Sequence, residues 1–355
     1  MRGLQKLLIV VVASCLGWAG PASAGQPGAA PAPLTITWQQ STPVPEPTDG
    51  YAAGVIAGRL IMVGGTYWEG SPGDWQRKIY SRATLAFDPH TQAWERLPDA
   101  PVSLAYAAST VVGDELFILG GMQDGQASRE IYVLKKTADG YFWRHFGQLP
   151  EPRVFANGIT LGGSIFVVGG NREFEAFDAK GTCCASLTAR NTVWRLNPAE
   201  PAARWETLPG YPGELRWLHK AATDGQAIYL FGGVFSTAEN IPAKKINEVL
   251  RLDPATGWSK AADLPESLQI AAPAGIVGRI VLVSGSADVM LFDPATARFT
   301  PLAGLPAKAT VTQFVWIAPF LVGAGGERDP EGPRRRSEWT FVGLVEGLPL
   351  PPPAP

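Results

Sequence analysis

Six times along the chain a run of β-branched, aliphatic and aromatic residues ends in glycine: residues 59–65 (RLIMVGG), 115–121 (ELFILGG), 164–170 (SIFVVGG), 227–233 (AIYLFGG), 279–285 (RIVLVSG) and 320–326 (FLVGAGG). The closing glycines are spaced by 56, 49, 63, 52 and 41 residues. A continuous apolar run of this length, stopped by residues without a Cβ, reads as a strand buried on both faces that ends where backbones crowd. An apolar or small-residue strand precedes each run, as in 51–56 and 105–112. A variable stretch follows, then a third strand, a tight Asp-Pro turn in several repeats, an aromatic residue and a Leu-Pro exit. Residues 84–98 (TLAFDPHTQAWERLP), 248–265 (EVLRLDPATGWSKAADLP) and 288–306 (DVMLFDPATARFTPLAGLP) carry this second half. The pattern predicts four antiparallel strands in each of six repeats.

The sixth repeat holds strands at 310–316, 320–326 and 338–344 but no fourth strand before a proline-rich end. Residues 34–40 (LTITWQQ), followed by STPVPEP, read as an outer strand without its first three. They are expected to complete the sixth blade of an all-β, six-bladed β-propeller over residues 34–346, a three-plus-one closure that leaves no open edge.

Composition agrees with short strands and many turns: 40 Gly, 32 Pro, 12 Trp and 17% charged residues. The formal net charge of −2, with basic residues scattered until Arg334, Arg335 and Arg336, argues against a nucleic-acid partner. Residues 1–24 have a basic start, a short apolar core and Ala22-Ser23-Ala24, the layout of a signal peptide cut after Ala24. Export to the periplasm or beyond is expected, with lipidation of Cys15 in VASC as the alternative. No stretch of 18 consecutive apolar residues offers a membrane span. Residues 25–33 read as a Gly/Pro/Ala linker and 347–355 as a proline-rich tail. Cys183 and Cys184, adjacent in the longest loop, would form a vicinal disulfide or stay reduced.

The second-to-third strand connections are the long ones and share one face, which places a ligand site at the channel mouth among loops of blades one, three, four and six. Trp68 and Glu69 are candidates to stack on and hydrogen-bond a ligand there, or Trp68 packs over neighbouring loops. Asn157, Gln269 and Gln313 fall on innermost strands and face ligand or water; Tyr51 and Tyr106 begin first strands. Trp94, Trp205 and Trp258 read as core between blades. A copper-radical oxidase on this architecture needs clustered His and Tyr ligands, and His90, His145 and His219 are too dispersed, so no metal or other cofactor is expected.

A glycine pair followed later by an aromatic resembles the kelch repeat. Beyond it, GGTYWEG (64–70) with WERLPDAPVSLAYAA (94–108), LPGYPGELRW (208–217) before AIYLFGG, and GGERDPEGPRRRS (325–337) resemble the bacterial sialic acid mutarotases, in particular their cyclically permuted branch. The resemblance implies interconversion of N-acetylneuraminate anomers by a Glu just after a second strand and an Arg several residues on. Glu327 and Arg336 match, although this loop is longer than the family's, so that Arg334 or Arg335 could take the arginine's place. A carboxyl group can protonate the ring oxygen and deprotonate the anomeric hydroxyl, and a guanidinium can hold the sugar's carboxylate through two parallel hydrogen bonds. The competing reading is a non-catalytic kelch propeller that binds glycan or protein at its loop face.

Overall fold

The computed structural model describes residues 33–71, 74–173, 188–200, 202–235, 244–328 and 335–348. The signal segment with Cys15, most of the linker, Cys183, Cys184, Arg334 and residues 349–355 lie outside them.

Among the described residues, six four-stranded antiparallel sheets form the body of the fold. Sheet 1 is Ala52–Ile56, Arg59–Val63, Thr84–Asp88 and Ala93–Leu97; sheet 2 is Ala108–Val112, Glu115–Leu119, Glu130–Thr137 and Gly140–Gln148. Sheet 3 is Asn157–Leu161, Ser164–Val168, Val193–Leu196 and Glu206–Leu208; sheet 4 is Lys220–Thr223, Ile228–Phe231, Glu248–Asp253 and Gly257–Asp263. Sheet 5 is Ala272–Ile276, Arg279–Val283, Val289–Asp293 and Arg298–Leu302. Sheet 6 takes Gln313–Ile317, Phe320–Ala324 and Thr340–Glu346 from the C-terminal end and Thr35–Gln40 from the other, Thr35 lying opposite Glu346 and Gln40 opposite Phe341.

Burial follows the apolar pattern. The second strands are buried almost throughout, whereas outer strands such as Ala93–Leu97 and Arg298–Leu302 are largely exposed or half-buried. Each of the larger apolar clusters draws on two consecutive sheets: Ile56, Ile61 and Ala86 of sheet 1 with Leu116, Ile118 and Leu134 of sheet 2, and, at the ends of the chain, Leu60, Met62 and Phe87 of sheet 1 with Ile317, Val322 and Val342 of sheet 6. First strands of successive sheets lie side by side in turn, and Gln313–Ile317 lies against Ala52–Ile56.

Two sets of polar bonds tie sheet to sheet. The last glycine of a heptapeptide donates its backbone N–H to the segment leading into the following sheet: Gly65 to Leu104 (2.7 Å), Gly121 to Arg153 (2.7 Å), Gly233 to Gln269 (3.0 Å) and Gly326 to Thr48 (3.1 Å). At Gly121 the φ is +84°, and a Cβ would fall 2.6 Å from that of Ala107, which is why no larger residue ends the run. On the outer strands, indole N–H groups reach back to the exit of the preceding sheet. Trp94 donates to Thr42 (3.1 Å), Trp143 to Pro98 (3.0 Å), Trp205 to Gln148 (2.9 Å), Trp258 to Pro209 (2.9 Å) and Trp38 to Ala303 (2.8 Å). Trp94, Trp205 and Trp258 pack against the clusters between sheets as expected, but they are half-buried, because the indole N–H must find an acceptor and the free carbonyls lie at the rim.

Candidate ligand cavity at the loop face

The connections between second and third strands build a layer of short ribbons above the sheets. Thr66–Ser71 pairs with Asp74–Tyr80, and Glu327–Arg328 lies between Ala309–Thr310 and Arg335–Arg336. Inside this layer, at the ends of the first strands, is a cavity of about 1320 Å³.

One part of its wall is apolar. Tyr106, Phe155, Leu218 and Val311 each stand two residues before a first strand with φ between +54° and +59°. This left-handed backbone, uncommon for non-glycine residues, turns the chain into the strand at equivalent places in four sheets. All four side chains line the cavity, joined by Trp217 and Ile270. Ile270 (41%) and Val311 (44%) are strongly exposed for aliphatic side chains.

The other part is polar and belongs to sheets 6 and 1. Glu327 stands opposite Arg336 on one side and Thr310 on the other, and the Arg336 guanidinium lies 4.5 Å from the centre of the Tyr67 ring. The Lys78 ammonium donates to the Tyr106 hydroxyl at 2.5 Å and sits 4.8 Å from that ring and 5.7 Å from Trp68. The Thr66 hydroxyl donates to the buried Asp49 carboxylate and is 3.2 Å from the Tyr106 oxygen. Burial above all, with the charges of Asp49 and Glu327, holds the Tyr106 phenol well above its ordinary range, so it stays protonated. Two cations braced on aromatic faces beside carboxylates can orient an anionic or polyhydroxylated ligand.

The cavity gathers Glu327, Arg336, Trp68, Gln313, Tyr51 and Tyr106 from the sequence-derived candidates. Tyr51 and Gln313, however, are engaged with each other between sheets 1 and 6. The Tyr51 hydroxyl donates to the Ala324 carbonyl and accepts from the Gln313 backbone N–H (2.9 Å), and the Gln313 side-chain amide donates to the Tyr51 carbonyl. Burial drives the Tyr51 phenol upward as well. Asn157 is similarly engaged, donating to His219 Nδ1 (2.8 Å) and the His219 carbonyl (3.2 Å) and accepting from the Ala221 N–H (3.0 Å). Glu69 lies outside the cavity lining, paired with Arg77 at 3.1 Å on the exposed hairpin. Gln269 is not on an innermost strand: Glu266–Leu268 forms a 3-10 turn after Pro265, and Gln269 caps it with its carbonyl turned to the Gly233 N–H. Arg334 is outside the described residues.

Asp49, Lys78 and Lys220 were not singled out by the sequence. Lys78 stands directly across from Trp68 in the hairpin, so strand alternation would have found it had residues 66–83 not read as a loop. Of the histidines, His90 lies in an exposed turn and His145 pairs with Glu130 at 2.6 Å. His219 is buried, and burial first, then the Arg216 charge, lowers its pKa to about 3. The unfolded chain therefore takes up a proton near the ordinary histidine pKa that the folded chain refuses until about pH 3. Stability is expected to fall as pH drops through that window, by up to about 1.4 kcal/mol per pH unit from this group. Urea unfolding of the wild type and His219→Gln between pH 7 and pH 4.5 checks this: the wild-type curve should be the steeper by that amount, and parallel curves would contradict it.

Repeated four-stranded sheets, each with a Gly-terminated second strand, beneath a loop-lined cavity, make an all-β fold that fits a propeller similar to the kelch type. Known proteins agree at that level. The chain is 25% identical over 313 residues to "Kelch-like protein terF" of Aspergillus terreus, covering 81% of this chain and 62% of that one. It is 24% identical over 170 residues to "Kelch repeat and BTB domain-containing protein 12" of Danio rerio, covering 45% of this chain and 27% of the relative. With "Kelch-like protein 35" of Mus musculus it shares 26% identity over 142 residues, 40% of this chain and 22% of the other. The matches thus span under two thirds of the first relative and about a quarter of the other two. No family model matches the chain. These likenesses support a kelch domain and carry nothing on sugar isomerisation. Among the described residues no helix is long and apolar enough to cross a membrane.

Proposed function

We propose that the six sheets are the blades of a six-bladed propeller closed three-plus-one by residues 34–42, and that this exported domain binds a protein segment in its loop-face cavity without catalysis. The observation that carries the reading is the size and division of the cavity. At about 1320 Å³ it exceeds the roughly 300–1,000 Å³ usual for small-ligand pockets, and its wall is divided between an apolar part and a part with Arg336 and Lys78. An extended segment with one apolar and one carboxylate side chain would meet both. Buried aromatic and arginine anchors are the usual centres of binding energy in such contacts. Export, by cleavage after Ala24 or by lipidation at Cys15, is part of the proposal and rests on the N-terminal sequence alone.

A second reading is favoured by one observation: Glu327 and Arg336 are cross-strand partners on the wall of the same cavity. That is the pair the resemblance to sialic acid mutarotases implies, a carboxyl to move the proton and a guanidinium for the sugar's carboxylate. One comparison separates the readings. Peptides selected from a displayed library on the wild type should lose at least about tenfold in affinity on folded Trp68→Ala and Arg336→Ala, as anchor truncations do. NMR saturation exchange between N-acetylneuraminate anomers should meanwhile be unaccelerated. Exchange accelerated roughly 10²- to 10⁴-fold by the wild type and lost in Glu327→Gln would instead establish the mutarotase. Selected peptides indifferent to both truncations would remove the binding proposal at this cavity.

A further inference from the structure

The six first strands present one equivalent position each, paired with the residue just before the two that close each heptapeptide: Ala52 with Val63, Ala108 with Leu119, Asn157 with Val168, Lys220 with Phe231, Ala272 with Val283 and Gln313 with Ala324. Three of these six are alanines that end at Cβ. Asn157 and Gln313 bind backbone of the following sheet, as described. Lys220 is the ionisable member of the set. It is half-buried and lines the cavity, while no hydrogen bond or ion pair among the described residues engages its ammonium.

Its surroundings disfavour charge. Trp217 and Leu218 precede it on the chain and line the same cavity, as do Ile270 and Ala272 of the following sheet. The nearest cation in sequence, Arg216, is already paired with Glu248. Withdrawal from water lowers the ammonium below the usual lysine range, and no carboxylate acts against it. An amine held this way has a larger unprotonated fraction than an exposed one, the property that makes a lysine nucleophilic towards carbonyl carbon.

We propose that Lys220 is a carbonyl-capture site, its amine condensing with an aldehyde or 2-oxo acid that enters the cavity to form an imine. The Nζ lone pair forms the C–N bond while the carbonyl π pair moves to oxygen. Proton transfer from nitrogen to oxygen gives a carbinolamine, which loses one water as the C=N bond forms. No oxidant or reductant takes part, and hydrolysis reverses the step. The site is independent of the binding and mutarotase readings, since neither assigns Lys220 a role.

The test treats the full exported chain with pyruvate, and separately with propanal, in the presence of cyanoborohydride to fix any imine as a secondary amine. Peptide mass mapping then follows adduct growth at every lysine. Lys220 is expected to be labelled at least about tenfold faster than exposed Lys136 and Lys245, because the unprotonated amine is the attacking form. Labelling by either probe supports the site, and labelling by pyruvate alone adds that the carboxylate is recruited. Lys220→Arg should lose the fast adduct while keeping its melting transition. Equal rates at all lysines, or a wild-type Lys220 that stays unlabelled, would overturn the proposal without touching the cavity's proposed partner.

Discussion

Deletion of residues 34–42 is expected to abolish the cooperative unfolding transition and drive the protein into aggregates. This segment forms a six-residue ladder with Thr340–Glu346 and adds one further backbone bond, Ser41 N–H to Thr340 (2.8 Å). It buries Leu34 and Ile36 in the cluster between sheets 5 and 6, side chains that together stand for about 3–6 kcal/mol. The Trp38 indole bond to Ala303 goes with them. The sum approaches the roughly 5–15 kcal/mol by which whole domains are stable. The loss also leaves Thr340–Glu346 as an edge whose residues Phe341, Val342 and Val345 are otherwise buried. The strand matters by position, not by chain order. A permutant that begins after residue 42 and carries residues 34–42 behind residue 348 through a short linker should recover the transition, because Glu346 and Thr35 already face each other. Denaturant unfolding of the three proteins decides it: a deletion that unfolds like the wild type would refute both the role of the strand and the proposed closure.

The second large effect is expected at Arg216, buried to 1% exposure between sheets 3 and 4. Its guanidinium pairs with Glu248, donates to the carbonyls of Glu214 (3.2 Å) and Gly232 (3.4 Å), and lies 5.4 Å from the buried Tyr211 ring. Arg216→Leu would leave Glu248 and a buried carbonyl without this partner, at a cost of about 3–5 kcal/mol. Arg216→Lys should recover only part of this, since a compact ammonium cannot serve three acceptors in the geometry of a planar fork. Removing both charges in Arg216→Leu with Glu248→Leu should recover more, as apolar replacements of whole buried pairs often do. The readout is the denaturant midpoint at constant slope. A loss under about 1 kcal/mol for Arg216→Leu would mean that water replaces the guanidinium and the pair is not structural. Arg153, fully buried, 4.3 Å from the Trp194 ring and bonded to Glu151 and Thr192, both at 2.7 Å, is the same device one sheet earlier.

Neither arginine was legible beforehand. In PEPRVF and GELRW nothing local tells an arginine on an exposed loop from one covered by its neighbour. The same blindness put Gln269 on a strand. PESL after a Leu-Pro exit supports a turn or a strand start equally, and packing against Gly233 selects the turn. Tyr51 and Gln313 were legible as polar groups near the axis, but not as partners of each other, since 262 residues separate them.

What the sequence determined by itself is the repeat. Six apolar runs closed mostly by glycine pairs specify strands buried on both faces, and a sixth repeat short of its last strand points to residues 34–40. These are consequences of local periodicity and of where a Cβ can fit, and they need no knowledge of neighbours. Tertiary structure alone decided which polar groups face the cavity and which bind the next sheet. Lys220, Asn157 and Gln313 hold equivalent positions, yet only Lys220 has no backbone of the adjacent sheet to hold it, because that depends on side-chain reach and on how closely two sheets approach.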